Sequence, residues 1–192
     1  MKIENVNVYG LEESVRAAKF PMSVDTGNLN TDITPGIMSL AQSGIGEGHD
    51  NWLLGVVVQY DVTASNKWWV EMERYHFADI VSSQSTMHRI GKFNLREAYN
   101  EYTDPRTIAV MIELQREYQK NPTRVNYLRL LYSNPCGMEL TARMTTNYRQ
   151  LKTIYHQRKN HRLPEWKAFC RWVESLPRFK ELILKESGET NE

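Results

Sequence analysis

Two apolar stretches, Trp52 to Thr63 (WLLGVVVQYDVT) and Met138 to Thr145 (MELTARMT), stand far apart in this chain, with helical patterns between and after them. The first has the β-branched content that packs well on a pleated surface and predicts a buried strand. The second alternates apolar and polar residues with the two-residue period of a half-buried strand. A parallel sheet needs strands and helices in regular alternation, which this order does not supply. The pattern predicts an α+β fold.

Local signals place the other elements. Residues 2–9 alternate Ile3, Val6 and Val8 with polar neighbours and read as a short strand ending at Gly10. Leu11 to Lys19 reads as a short helix, with Glu12 and Glu13 in the first turn where the macrodipole favours them. Phe20 to Pro35, rich in Asp, Asn, Thr, Gly and Pro, reads as a loop long enough to serve as a functional cover or an ordered excursion. Ile37 to Gln42 is expected to form a short helix before the Gly-rich bend SGIGEGHDN. Ser65 and Asn66 are N-cap types, and the aromatic-rich segment after them predicts a helix that breaks at the polar cluster Ser82 to Thr86. Such a cluster lines a polar pocket in one reading and forms a serine-rich turn in another. Asn94 to Tyr102 is expected to be a further short helix. Asp104-Pro105 and Asn121-Pro122 each set a capping residue before a proline, predicting helices that reach Lys120 and Leu131. Asn134 to Gly137 is a turn signal. Asn147 opens a long basic helix, and Pro164 and Pro177 open two more.

The 192 residues suit a single domain over 1–192 with a real core, and the polar tail 185–192 is expected to fray. A net charge of +1 gives no global attraction to nucleic acid or to a membrane surface. No apolar run approaches a membrane span, and the N-terminus has no apolar signal region. Cys136 and Cys170 are too few for a disulfide framework or a cysteine metal site and suit buried thiols in a reduced, cytoplasmic protein.

Chemistry-bearing residues are sparse. No phosphate-cradling glycine fingerprint, HExxH or CxxC pattern is present. His49, in the Gly-rich bend, fits a structural or surface role as well as a ligand-binding one. On the basic helix Arg149 and Arg158 lie nine positions apart, about 900° of rotation, so they leave opposite faces. One helix can thus offer a guanidinium to each of two neighbouring anions, and Arg129 on the preceding helix can join either site. Guanidinium suits phosphate because its planar fork donates two hydrogen bonds at once. The same residues equally describe a solvated basic face, and the run Arg158 to Arg162 describes a nucleic-acid patch, although no aromatics interleave it.

In their order, these pieces resemble the flavin-dependent thymidylate synthases. The family's early Val-Arg-Ala-Ala-Arg-x-Ser-type segment appears as Val15-Arg16-Ala17-Ala18-Lys19, with Ser23 displaced. Its Gly-His before a strand is Gly48-His49. Its signature Arg-His-Arg, seven residues and Ser reads Tyr75-His76-Phe77, ADIVSSQ and Ser85. Its late Asn-x-Arg-x-Leu, followed by an arginine and a tryptophan, is Asn147 to Leu151, Arg158 and Trp166. The resemblance covers most of residues 11–170 and implies a small sheet packed with several helices. It implies FAD contacts at His49, His76, Asn147 and Arg149, and at His161 or Arg162. It implies contacts to a pyrimidine nucleotide at Ser83, Ser85, Arg129 and Arg158; in an enzyme built on it, Gln84 joins Ser83 and Ser85 in reading or positioning the base, with Ser85 and Arg158 as the catalytic candidates. A homotetramer, with NADPH and methylenetetrahydrofolate as co-substrates, is implied as well.

The pattern also departs from the family. Tyr75 and Phe77 stand for both signature arginines, Met87 for a later one, Ser83 for an acidic or amide residue, and Met72 for a Gln or Glu. Each lost charged partner removes about 1.5–3 kcal/mol of hydrogen bonding. The expectation is a one-carbon transferase with an altered nucleotide substrate, the alternative a catalytically inactive nucleotide-binding protein on the same scaffold.

Overall fold

The computed structural model describes residues 1–184; the tail expected to fray, 185–192, lies outside the described residues. In chain order the elements are β1 (Lys2–Tyr9), α1 (Leu11–Ala17), α2 (Pro35–Ala41), β2 (Val57–Ser65), α3 (Asn66–Met72), β3 (Asp79–Ser83), α4 (Thr86–Arg89), α5 (Pro105–Lys120), α6 (Arg124–Tyr132), β4 (Glu139–Asn147), α7 (Tyr148–Arg158), α8 (Pro164–Glu174) and α9 (Phe179–Ile183). Short 3-10 turns lie at Phe20–Met22 and Asn51–Gly55. The strands form one small antiparallel sheet in the order β1-β2-β4-β3, as an α+β fold requires. Strands β2 and β4 bury alternate residues, Val58, Tyr60, Val62 and Ala64 on one and Ala142, Met144 and Thr146 on the other.

The chain divides into two compact units. The first comprises Met1–Glu4, Asp61–Arg74 and Ile80–Met144. Its core gathers Ile90, Leu95, Tyr99, Met111, Leu130 and Met138, with Ile108 and Ile112 of α5 and Tyr127 and Leu131 of α6 packed against it. The Asp104 carboxylate caps α5 by accepting from Arg106 N at 2.8 Å. Helix α6 begins later than expected: Thr123, not Asn121, is its cap, accepting from Asn126 N at 3.2 Å. Pro122 disfavours helical dihedrals at the residue before it, and Asn121 is accordingly extended, at φ −136° and ψ 87°.

Residues 94–102 form turns and one β-bridge from Tyr99 to Met138 instead of the expected helix. The reason is local competition by asparagine. Asn94 Oδ1 accepts from Arg96 N at 3.3 Å, and Asn100 Oδ1 accepts from Tyr102 N at 3.2 Å and from Thr103 Oγ1 at 3.0 Å. Close packing at this corner also requires glycine at 137, where a Cβ would lie 2.0 Å from Thr103 Oγ1.

The second unit comprises Asn5–Tyr60, Tyr75–Asp79 and, among the described residues, 145–184. Asn147 caps α7 as expected, its Oδ1 accepting from Gln150 N at 2.9 Å. Helix α7 buries Tyr148, Leu151, Ile154 and Tyr155, while α8 buries Trp166, Phe169, Cys170 and Val173. The Tyr60 ring lies 4.5 Å from that of Trp172, and Phe169 stands edge-on to Trp166 at 5.7 Å. The expected strand from Trp52 starts only at Val57, because Asn51–Gly55 coils into a 3-10 turn that buries Leu53.

Two further expectations need correction. Helix α3, capped by Ser65 through Trp68 N at 3.3 Å, ends at Met72, and Asp79–Ser83 form the edge strand β3, so Ser82 and Ser83 are strand residues, not a helix tip. Of the cysteines only Cys170 is buried; Cys136 is exposed. Burial, then the nearby Glu174 charge, pushes the Cys170 thiol up to about 11, despite an opposing pull from Arg158.

A thiol-specific reagent near neutral pH should therefore label one cysteine per native chain, Cys136, with Cys170 reacting only on unfolding; equal native labelling of both would contradict this core. Leu130→Ala should lower unfolding free energy by about 2–5 kcal/mol in a denaturant titration, because Leu130 is fully buried.

Candidate functional site

The residues singled out in the sequence fall into the two units, and each set is built by its own neighbours. In the second unit the Gly-rich bend turns through Gly46 and Gly48, whose φ values of 99° and 82° lie where L side chains are strained. That turn leaves His49 exposed and Asp50 buried, with 2% of Asp50 accessible. The Asp50 carboxylate is the centre of a charge cluster. Arg149 Nε donates to its Oδ1 at 2.9 Å, and Lys152 Nζ donates to its Oδ2 at 2.8 Å. Lys152 Nζ also donates to the backbone carbonyls of Ala41 at 2.8 Å and Ser43 at 2.6 Å. Arg149 thus leaves α7 with its direction fixed at Nε.

Arg158, at the other end of α7, has different neighbours, as the spacing predicted for opposite faces. Its Nε donates to the Tyr75 hydroxyl at 2.7 Å, and that hydroxyl donates to Gln157 Oε1 at 2.9 Å. The guanidinium carbon lies 4.8 Å from the Trp166 ring centroid and 5.4 Å from that of Tyr75. Each ring supplies about 0.5–2 kcal/mol of cation–π attraction. His161 stands 6.3 Å edge-on to Trp166, and its Nδ1 accepts from Leu163 N at 3.1 Å. An accepting Nδ1 places the proton of the neutral ring on Nε2. Arg162 is exposed. His76 is exposed too, beside Phe77, whose φ of 62° is unusual for a bulky side chain and whose carbonyl accepts from Thr146 Oγ1 at 2.8 Å. Asn147 has its side-chain oxygen committed to the helix cap.

In the first unit Ser83 is an exposed residue of β3. Gln84 continues the sheet: its N donates to Thr141 O at 2.9 Å, and its Oε1 accepts from Thr141 N at 2.9 Å. That side-chain oxygen therefore has a structural partner where the sequence suggested base recognition. Ser85 caps the single-turn α4. Its Oγ accepts from His88 N at 3.3 Å and lies 2.9 Å from His88 Nδ1. Arg129, exposed on α6, pairs loosely with Glu117 at 3.7 Å.

The structure thus brings together Arg158, His161 and Trp166, and fixes Arg149 on a buried acid. Sequence reasoning missed Asp50, Lys152, Gln157 and His88, and read Tyr75 only as a lost arginine. An acidic residue directly after Gly48-His49 was the one available signal for Asp50. Lys152 had none, since it reads as another solvated cation of a basic helix.

No protein-family model matches the chain, and no curated protein sequence matches it. Solved structures do. The flavin-dependent thymidylate synthase ThyX from Helicobacter pylori, complexed with FAD and dUMP, superposes with a TM-score of 0.73 at 13% identity, covering 95% of this chain and all of that one. A second structure of ThyX from that organism, also with FAD and dUMP, gives 0.74 at 14% identity over 93% of this chain and 95% of that one. The UMP/dUMP methylase PolB from Streptomyces cacaoi, bound with 5-Br dUMP, gives 0.68 at 14% identity over 95% and 92%. At these identities the likeness is one of backbone architecture. The chain has the fold of the flavin-dependent thymidylate synthases.

Proposed function

We propose that this protein is a flavin-dependent transferase that delivers a one-carbon unit to a pyrimidine nucleoside monophosphate, in a pocket altered from that of thymidylate synthesis. The observation that carries the reading is the extent of the fold likeness, 95% of the chain against a protein complexed with FAD and dUMP and 95% against one described as a UMP/dUMP methylase.

The donor set fits a flavin dinucleotide. Its phosphates need cations and N–H donors, and the side chains at the positions suggested for it are Arg149, Arg162, His49, His76 and His161. Arg149 is already oriented by Asp50, which lowers the ordering cost of a bidentate contact. Bound flavin supplies the reducing equivalents of such a transfer. On the nucleotide side Arg158 is the group for the phosphate, held by Tyr75 and stacked on Trp166. The resemblance also suggests Arg129, Ser83 and Ser85, which the first unit carries, as nucleotide-contacting residues. With Tyr75 and Phe77 where the family has arginines, fewer charges face the nucleotide, so a changed base or sugar is part of the proposal. NADPH and methylenetetrahydrofolate are its co-substrates by the same reasoning, and a homo-oligomer is its working form.

The alternative, a protein that binds a nucleotide without turnover, is favoured by one specific observation. The Tyr75 hydroxyl replaces a cationic donor by a neutral one that is already bonded on both sides, to Arg158 and Gln157.

Purified protein titrated with FAD should show a perturbed flavin absorbance with binding at micromolar levels, and no binding would remove the enzyme reading. In a thermal-shift screen, deoxyuridylate or a related monophosphate should raise the melting temperature, since ligand bound only by the native state stabilises it. Arg158→Ala should reduce that shift, weakening nucleotide binding by about tenfold or more, the scale of a lost charge-assisted hydrogen bond. An unchanged shift would remove Arg158 from the site.

A further inference from the structure

Arg149 and Lys152 sit three residues apart on α7 and meet the same carboxylate, yet they are used differently. Lys152 is internal: its side chain is 4% exposed, and its three N–H donors go to Asp50 Oδ2, Ala41 O and Ser43 O. It balances the Asp50 charge completely. Arg149 is 31% exposed and gives Asp50 only its Nε–H. Its two Nη groups have no hydrogen-bond partner among the described residues. The cluster therefore sums to −1 for Asp50, +1 for Lys152 and +1 for Arg149, a net +1. The surplus sits on the solvent-side residue, as a guanidinium fork whose plane is fixed from behind.

A buried acid matched only by Arg149 would cancel its charge. Here a second buried cation carries out that neutralisation, so Arg149 is held by the acid and still presents its full charge outward. We propose that Asp50 is a positioning residue that acts through Arg149 to aim its Nη fork at a phosphate of the flavin dinucleotide. Lys152 is the internal counter-charge that keeps that fork electropositive. The inference rests on the flavin reading above and extends it to two residues that the family pattern did not single out.

The test is a double-mutant cycle read by FAD affinity. Asp50→Asn, Arg149→Ala and their combination are titrated with FAD, and with riboflavin as a probe that lacks phosphate. Because Asp50→Asn strands a buried ammonium, the charge-neutral pair Asp50→Asn with Lys152→Met is carried alongside as the variant that folds without an unpaired charge. Asp50→Asn, or the neutral pair, should weaken FAD about tenfold, the scale of a charged hydrogen bond. It should cause no further loss once Arg149 is alanine, and riboflavin affinity should stay within twofold or so throughout, since it makes no phosphate contact. Equal losses with and without Arg149, equal losses for riboflavin and FAD, or unchanged FAD affinity would each overturn the proposal. If the wild-type protein binds no FAD, the flavin reading falls, and inorganic pyrophosphate in the same cycle decides the positioning. Binding that needs both Asp50 and Arg149 preserves the anion site, and its absence overturns that too.

Discussion

The buried Asp50 carboxylate is the constraint around which the second unit is arranged. Through Lys152 and Arg149 it binds two residues of α7, and through Lys152 it reaches the carbonyls of Ala41, the last residue of α2, and Ser43 in the Gly-rich bend. Removing an ion from water costs several kcal/mol, and a buried pair recovers this only when its remaining donors and acceptors are satisfied. Here they are, because the ammonium has three oxygen partners and the carboxylate two nitrogen partners. Loss of the Asp50 carboxylate leaves the Lys152 ammonium uncompensated in the interior, a penalty of about 3–5 kcal/mol. The bend that carries His49 and the helix that carries Arg149 are thus fixed by one interaction.

The other end of α7 shows how an altered motif remains structurally coherent. Tyr75 accepts from Arg158 Nε and donates to Gln157, so its hydroxyl is satisfied in both roles while its ring adds a second aromatic face near the guanidinium. An arginine at that position would set two like charges against each other unless an anion lay between them. Tyrosine removes this need, and its hydroxyl and ring, together with the Trp166 ring, help to order Arg158.

Much of the architecture was legible because its signals are local. Ser65, Asp104 and Asn147 cap helices with their own side chains, within three residues of the bond they make, and the alternation in residues 138–145 follows from the pleat. What could not be read depended on distant partners or on competition between signals. Residues 79–83 form an edge strand because a sheet was there to extend, which no residue of that segment announces. Asn121 looked like a cap, but Pro122 forced it into an extended state and passed the role to Thr123. Residues 94–102 had helical composition, yet Asn94 and Asn100 bonded to nearby backbone. In the candidate site, Arg149 and Arg158 could be named from spacing and resemblance. Asp50 and Lys152 could not be paired in advance, because an aspartate in a glycine-rich bend and a lysine on a basic helix are each commonplace until the fold joins them.

The proposed function is a one-carbon transfer to a pyrimidine ring. Release of the C5 label from a C5-deuterated pyrimidine monophosphate, followed by NMR with FAD, a reductant and methylenetetrahydrofolate present, tests this transfer. Release should require both flavin and protein and fall sharply in Arg158→Ala. Nucleotide bound stably at its site with no C5 hydrogen lost would contradict it.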